Sequence, residues 1–254
     1  MNITTDVRIQ IVNEPEVGHL SGSLVNVKGS KGLIIFAHGS GSDSRSLRNQ
    51  YLSQILNNDG LSILLLDLLT IYEQDIDIRA QKILKELPGV TLNKFNIQLL
   101  AKRLVTITRW AIEYSETKDM AIGYFGASTG AAAAFAAASH KEISERVTAI
   151  VTRSGRPELA IESLPFVKAP SLLIVGKNDA KKIIQNNENA IKKIGSNKKK
   201  LVLIPGATHL FEEDGTLEQV GKFSSDWFRC YLGTRKQRKE MSLRLVKKLI
   251  LGRL

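Results

Sequence analysis

An α/β protein with a mostly parallel, doubly wound sheet is the fold class this sequence predicts, and three observations predict it. Short apolar runs alternate with longer segments of helical spacing along most of the chain. Two of the runs, 32–37 and 171–175, are apolar at nearly every position, as a parallel strand covered on both faces requires. Loops rich in Gly, Ser and Asp follow the runs, and the carboxyl edge of an open α/β sheet is where ligand chemistry sits. Helices are therefore expected on both faces, with antiparallel strands only at the N-terminus.

Size and composition set the bounds. The 254 residues suffice for one large domain with a full core, expected over 1–233, followed by a basic amphipathic stretch over 234–254. Of the net charge of +11, the last 21 residues carry +7, from eight Lys or Arg against one Glu. No apolar run reaches a membrane span, and residues 1–6 lack the basic and apolar regions of a signal peptide. Cys230 is the single cysteine, so no intrachain disulfide is possible and a cytoplasmic protein is expected. Neither G-x-x-x-x-G-K-[ST] nor G-x-G-x-x-G occurs, and no His, Cys, Asp and Glu cluster has metal-ligand spacing. No cofactor, metal or nucleic-acid partner is expected.

The elements follow in order. Residues 7–12 alternate and read as a strand, broken by Glu14-Pro15-Glu16; 20–27 read as a second strand ending at the Gly29 turn. Residues 32–37 are a buried strand leading into His38-Gly39-Ser40-Gly41-Ser42. Helical spacing through Leu47, Tyr51, Leu52 and Ile55 marks 46–58, which Gly60 can cap. Residues 62–69 are the next strand, ending around Asp67. Residues 71–97 show no clean period and read as an excursion or small lid at the sheet's active edge. An amphipathic helix is expected over 95–114, then a strand over 120–128 and a helix over 129–140. Strands at 147–152, 171–175 and 200–204 alternate with a basic helix at 183–194 and a last helix at 217–232.

The strongest motif is Gly126-Ala127-Ser128-Thr129-Gly130, a G-x-S-x-G between an apolar run and a run of small residues. That is a strand, a sharp turn and a helix, with serine at the apex and glycines where neighbouring backbone must approach. A serine hydroxyl is a poor nucleophile until a base takes its proton and a third group orients that base. Of the four histidines, only His209 follows Ser128 at the carboxyl end of a strand. Asp179 ends the preceding apolar run. In isolation His209 also reads as a turn histidine and Asp179 as a helix N-cap; of the competing acids, Asp67 precedes the serine, and Glu212, Glu213 and Asp214 follow His209 too closely to come from a different strand loop. The order Ser, Asp, His of α/β-hydrolases selects Asp179 and His209.

Five motifs together carry a resemblance: His38-Gly39-Ser40-Gly41-Ser42, Leu66-Asp67-Leu68-Leu69, Gly123 through Gly130, Leu173 through Asp179, and Pro205-Gly206-Ala207-Thr208-His209-Leu210-Phe211. Over roughly residues 20–232 the chain resembles a serine α/β-hydrolase of the dienelactone-hydrolase-like group. The resemblance implies the α/β-hydrolase fold, with Ser128 as nucleophile, Asp179 as acid and His209 as base. The expected oxyanion hole combines the amides of Thr129 and Ser40. True dienelactone hydrolases carry a cysteine nucleophile; serine at this position points instead to a small ester, lactone or thioester. Related domains also occur fused to phosphoribosyltransferase-like domains, and no such stretch is read in these residues.

Arg45, Arg48 and Arg153 follow strand ends near the expected site and are candidates for holding an anionic substrate group such as a carboxylate, Arg45 and Arg153 foremost; solvated or ion-paired arginine is the plainer reading. Cys230 reads as buried filler. Met241, Leu245 and Leu249 in the tail recur at helical spacing among basic residues. Such a helix over 235–254 can pack on the body or dock on a membrane surface or a partner. The expected activity is serine ester hydrolysis; the alternatives are a hydrolase-fold ligand-binding protein with little turnover, or a protein docked through its tail.

Overall fold

The computed structural model describes residues 2–11, 17–83 and 92–232. Its strands are β1 (Ile3–Gln10), β2 (His19–Asn26), β3 (Gly32–Ala37), β4 (Ser62–Leu66), β5 (Ala121–Ala127), β6 (Val147–Arg153), β7 (Ser171–Gly176) and β8 (Lys199–Ile204). Its helices are α1 (Leu47–Asn58), α2 (Ile71–Ile83), α3 (Ile97–Glu113), α4 (Thr129–Ser139), α5 (Lys181–Lys193) and α6 (Thr216–Leu232). The strands form one sheet in the order β1-β2-β4-β3-β5-β6-β7-β8. β1–β2 and β2–β4 are antiparallel, and every later pairing is parallel.

Period-two alternation divides the core into two layers. Leu33, Ile35 and Ala37 of β3 join α3, α4 and the end of α5 on one face. Ile34 and Phe36 join Leu52 and Leu56 of α1 and Val220, Trp227 and Phe228 of α6 on the other. The sheet is doubly wound, as its continuous apolar strands require.

α4 shows why the elbow sequence is so small. Ala131 to Ala134 are all 0 % exposed, so the helix is buried around its circumference rather than along a stripe. A Cβ at Gly130 would lie 2.0 Å from the Ala37 carbonyl oxygen, and one at Gly126 would lie 2.6 Å from Ala131 Cα. Only glycine lets the first turn of α4 press against the ends of β3 and β5.

Two expectations change. The segment after β4 is not irregular throughout: Ile71–Ile83 is helical. Its start is a capping box, with Thr70 N–H donating to Glu73 Oε2 at 2.8 Å and Glu73 N–H donating to Thr70 Oγ1 at 3.2 Å. Charged residues obscure the period, so the helix is announced by its cap rather than by its face. Likewise α5 begins at Lys181 with Ala180 at the N-cap position, so Asp179 is not its cap. The tail at 234–254 lies outside the described residues. Among the described residues, no helix is long and apolar enough to cross a membrane.

Candidate active site

β5 ends at Ala127, and the chain turns at Ser128 with φ 49° and ψ −120°. Positive φ at a non-glycine residue is a strained conformation, held here by backbone bonds on both sides. Ser128 N–H donates to the Arg153 carbonyl at 3.2 Å, and its own carbonyl accepts from Ala131 and Arg156 amides at 3.1 and 3.0 Å. The serine therefore stands at the carboxyl edge of the sheet and at the N-terminus of α4, where the helix dipole favours developing negative charge.

β7 and β8 deliver the other two residues. His209 Nδ1 lies 2.9 Å from Asp179 Oδ2 and 3.1 Å from Oδ1. Gly176 allows this approach, because a Cβ there would lie 2.3 Å from the Ala207 carbonyl oxygen. Asp179 also accepts from Ser154 Oγ at 2.6 Å and from the Ala180 amide at 2.7 Å. Burial pushes its carboxyl up, but the bonds from His209, Ser154 and Ala180 outweigh that, and its pKa falls below the ordinary value. The aspartate side chain is 2 % exposed and the histidine 37 %, so the imidazole is the solvent-facing member. Ser128 Oγ and His209 are not hydrogen-bonded to each other; the imidazole's partner is Asp179.

Two residues support this pair in roles the sequence reading did not assign. Ser154, at φ 40°, points its hydroxyl at Asp179; its only sequence signal is its place in the Arg153-Ser154-Gly155 loop at a strand end. Glu213 accepts the Thr208 amide at 3.1 Å and braces the His209 loop.

Asp67 has a different task. Its Oδ1 accepts the Ser44 amide at 2.7 Å, fixing the loop after β3. His38 fixes the same loop: its Nε2 accepts the Leu68 amide at 3.1 Å, so the ring proton is assigned to Nδ1, 3.0 Å from the Gly39 carbonyl. A Cβ at Gly39 would lie 3.0 Å from Ser128 Cβ, so this loop rests on Ser128. The Ser40 amide, expected to be open, instead donates to Thr129 Oγ1 at 2.9 Å. Beside the loop is a cavity of about 180 Å³, whose walls include Gly39, Ser40, Leu69, Ile78 and Leu100. α2 thus forms a wall of a space beside the loop after β3, at the sheet edge where the excursion or lid was expected.

Of the two foremost arginine candidates, Arg45 pairs with Asp43 on its own loop and its side chain is 83 % exposed, so nothing in the structure ties it to the site. Arg153 is buried beside Ser128. Among the described residues, no group of three or more His, Cys, Asp and Glu is gathered as a metal-ligand set.

An eight-stranded, mostly parallel sheet with a strained serine between strand and helix defines an α/β-hydrolase. The dienelactone hydrolase family model matches residues 24–248, and the chain belongs to that family. A dienelactone hydrolase structure from Anabaena variabilis is 44 % identical, with a TM-score of 0.80 over 91 % of this chain and 99 % of that one. Est1E from Butyrivibrio proteoclasticus shares the fold at 16 % identity and a TM-score of 0.68, over 88 % of this chain and 97 % of its own. Two Mycobacterium tuberculosis proteins, each described as a putative phosphoribosyl transferase, are 43 % identical over 227 residues. That match covers 89 % of this chain and 47 % of theirs, so the chain spans about half the length of these relatives.

Proposed function

We propose that this chain is a serine hydrolase that cleaves a small ester, lactone or thioester through an acyl-enzyme. Ser128 Oγ attacks the carbonyl carbon and its proton passes to His209 Nε2, while Asp179 holds the ring and balances the imidazolium. The tetrahedral intermediate collapses, the carbonyl–heteroatom bond breaks, and the leaving group takes the proton from Nε2. Water then adds by the same route and releases the acid. The Ser128–His209 bond closes when substrate enters.

The oxyanion is held by the Thr129 amide at the N-terminus of α4 and by the Thr129 hydroxyl. That hydroxyl accepts from Ser40 N–H and has its own hydrogen free to donate, so the Ser40 amide acts through it rather than directly. The carrying observation is the His209–Asp179 pair at 2.9 Å, brought to the same sheet edge as a strained serine.

The test is hydrolysis of short-chain p-nitrophenyl esters by wild type and Ser128→Ala, with fluorophosphonate labelling located by mass spectrometry. Turnover that disappears in the variant, with an adduct on Ser128, is the expected result. A folded wild type without turnover or label would overturn the reading in favour of ligand binding.

A further inference from the structure

Among the described residues β1 pairs with β2 alone, so its other side is an edge of the sheet. That edge keeps one register from Ile3 to Gln10, without proline or bulge. Such an edge is a template for a further strand unless its side chains forbid one. The neighbours of β1 show which way its backbone groups point. Ile11 N–H donates to the Gly18 carbonyl, so the chain bonds inward at this parity. Ser21, opposite Arg8, accepts the Asp67 amide on the far side of β2 instead. Odd-numbered residues of β1 therefore bond to β2, and the N–H and C=O groups of Thr4, Asp6 and Arg8 point outward.

Side chains divide by the same parity. Val7 and Ile9 are buried in the layer beneath α3. Thr4, Asp6 and Arg8 are exposed on the opposite face, where Asn2, Thr4 and Asp6 line an open groove. Opposite charges two residues apart on one face of an edge strand can satisfy each other across a two-fold axis. Outward groups must meet outward groups, so even-numbered residues pair with even-numbered ones. An axis at Asp6 or Arg8 would set like charges opposite each other. An axis at Thr5 would set Asp6 against Thr4 of the second copy, and one at Ile9 would set Arg8 against Gln10. Only an axis at Val7 sets Asp6 against Arg8 of the second copy, and it does so twice. The same register seats Ile3, which is 63 % exposed, opposite Ile11 of the second copy, beside a cleft lined by Ile9, Ile11 and Trp110. The other border of the sheet lacks this property. β8 carries Lys199 and Lys200 and no acid, so no register of β8 against itself gives those charges an opposite partner.

We propose that β1 is the surface through which two copies of this chain associate, antiparallel about Val7, joining their sheets into one. β1 is antiparallel to β2 and β2 to β4, so β1 runs in the direction of the parallel strands. Pairing it antiparallel with its copy turns the two carboxyl edges in opposite directions. Each Ser128 then stands at its own end of the joined sheet, and the association does not depend on the hydrolase reading.

The experiment measures the mass of the full chain in solution by sedimentation velocity and light scattering across a wide concentration range. Wild type is expected to form a dimer at high concentration. Asp6→Arg and Arg8→Asp each set like charges opposite each other twice, and each should raise the dimer dissociation constant by roughly 10–100-fold. Circular dichroism should show both variants folded, since both side chains are exposed. Mixed in equal amounts, the two single variants should dimerise with each other, because every Arg then meets an Asp. The double variant Asp6→Arg, Arg8→Asp should dimerise with itself. A wild type that stays monomeric at every concentration would overturn the proposal. So would a dimer that neither single variant weakens, which would place the interface elsewhere. Single variants that stay monomeric when mixed would overturn the register about Val7.

Discussion

Asp179 is a carboxylate under opposing influences, and the balance predicts its behaviour. Burial favours the neutral form, but three donors favour the charged one and prevail. Its folded pKa is thus depressed, so its contribution to stability is present above the ordinary carboxylate range and is lost as pH falls through the folded value. The stability difference between wild type and Asp179→Asn, measured by denaturant titration, should shrink below roughly pH 4. At neutral pH the same variant should lose about 10⁴-fold in kcat toward p-nitrophenyl esters, because the imidazole loses its orienting anion. Thr129 carries the second prediction at this scale. Thr129→Val removes the hydroxyl that accepts Ser40 N–H and should lower kcat by about 10²-fold with little change in KM, while Thr129→Ser restores most of it. Equal kcat in the valine variant would assign the oxyanion to backbone amides alone.

Among the elements, α2 and α4 teach opposite lessons. α4 is a helix of small residues whose composition follows from its position: it is buried on every side beneath the sheet, and its first turn touches β3. That constraint was written in the glycines and alanines and could be read directly. α2 has charged residues on several faces and exposed Ile71, Tyr72 and Ile78, so no period marks it as helical. Its determinant is the reciprocal Thr70–Glu73 cap, with Glu73 anchored on Arg103 of α3. Thr70→Ala should cost about 1 kcal/mol of stability in chemical denaturation. Because α2 walls the cavity next to Ser40, KM for esters should rise in the same variant more than kcat falls.

At the scale of the molecule, two apolar layers clamp one sheet, and the carboxyl edge of that sheet collects Ser128, Asp179 and His209. Phe228 of α6 is 0 % exposed, and a Cβ at Gly123 would lie 2.8 Å from its ring, so helix and sheet meet face to face at this point. Phe228→Ala should lower unfolding free energy by about 3–5 kcal/mol, read as a shift of the denaturation midpoint at unchanged slope. The alternation of apolar runs and helical segments determined the fold class by itself, because local period and strand burial are properties of neighbouring residues. The elbow glycines, Ser128, Asp179 and His209 were legible for the same reason: each sits at the end of a readable strand. Only the tertiary structure decided what those residues meet. Ser154 on Asp179, Thr129 on Ser40, Arg45 turned to its own loop and the burial of Arg153 are contacts between segments distant in the chain or directions taken by single side chains. Sequence spacing carries no information about such pairings, since they are set by sheet order and by which face of a strand each side chain leaves.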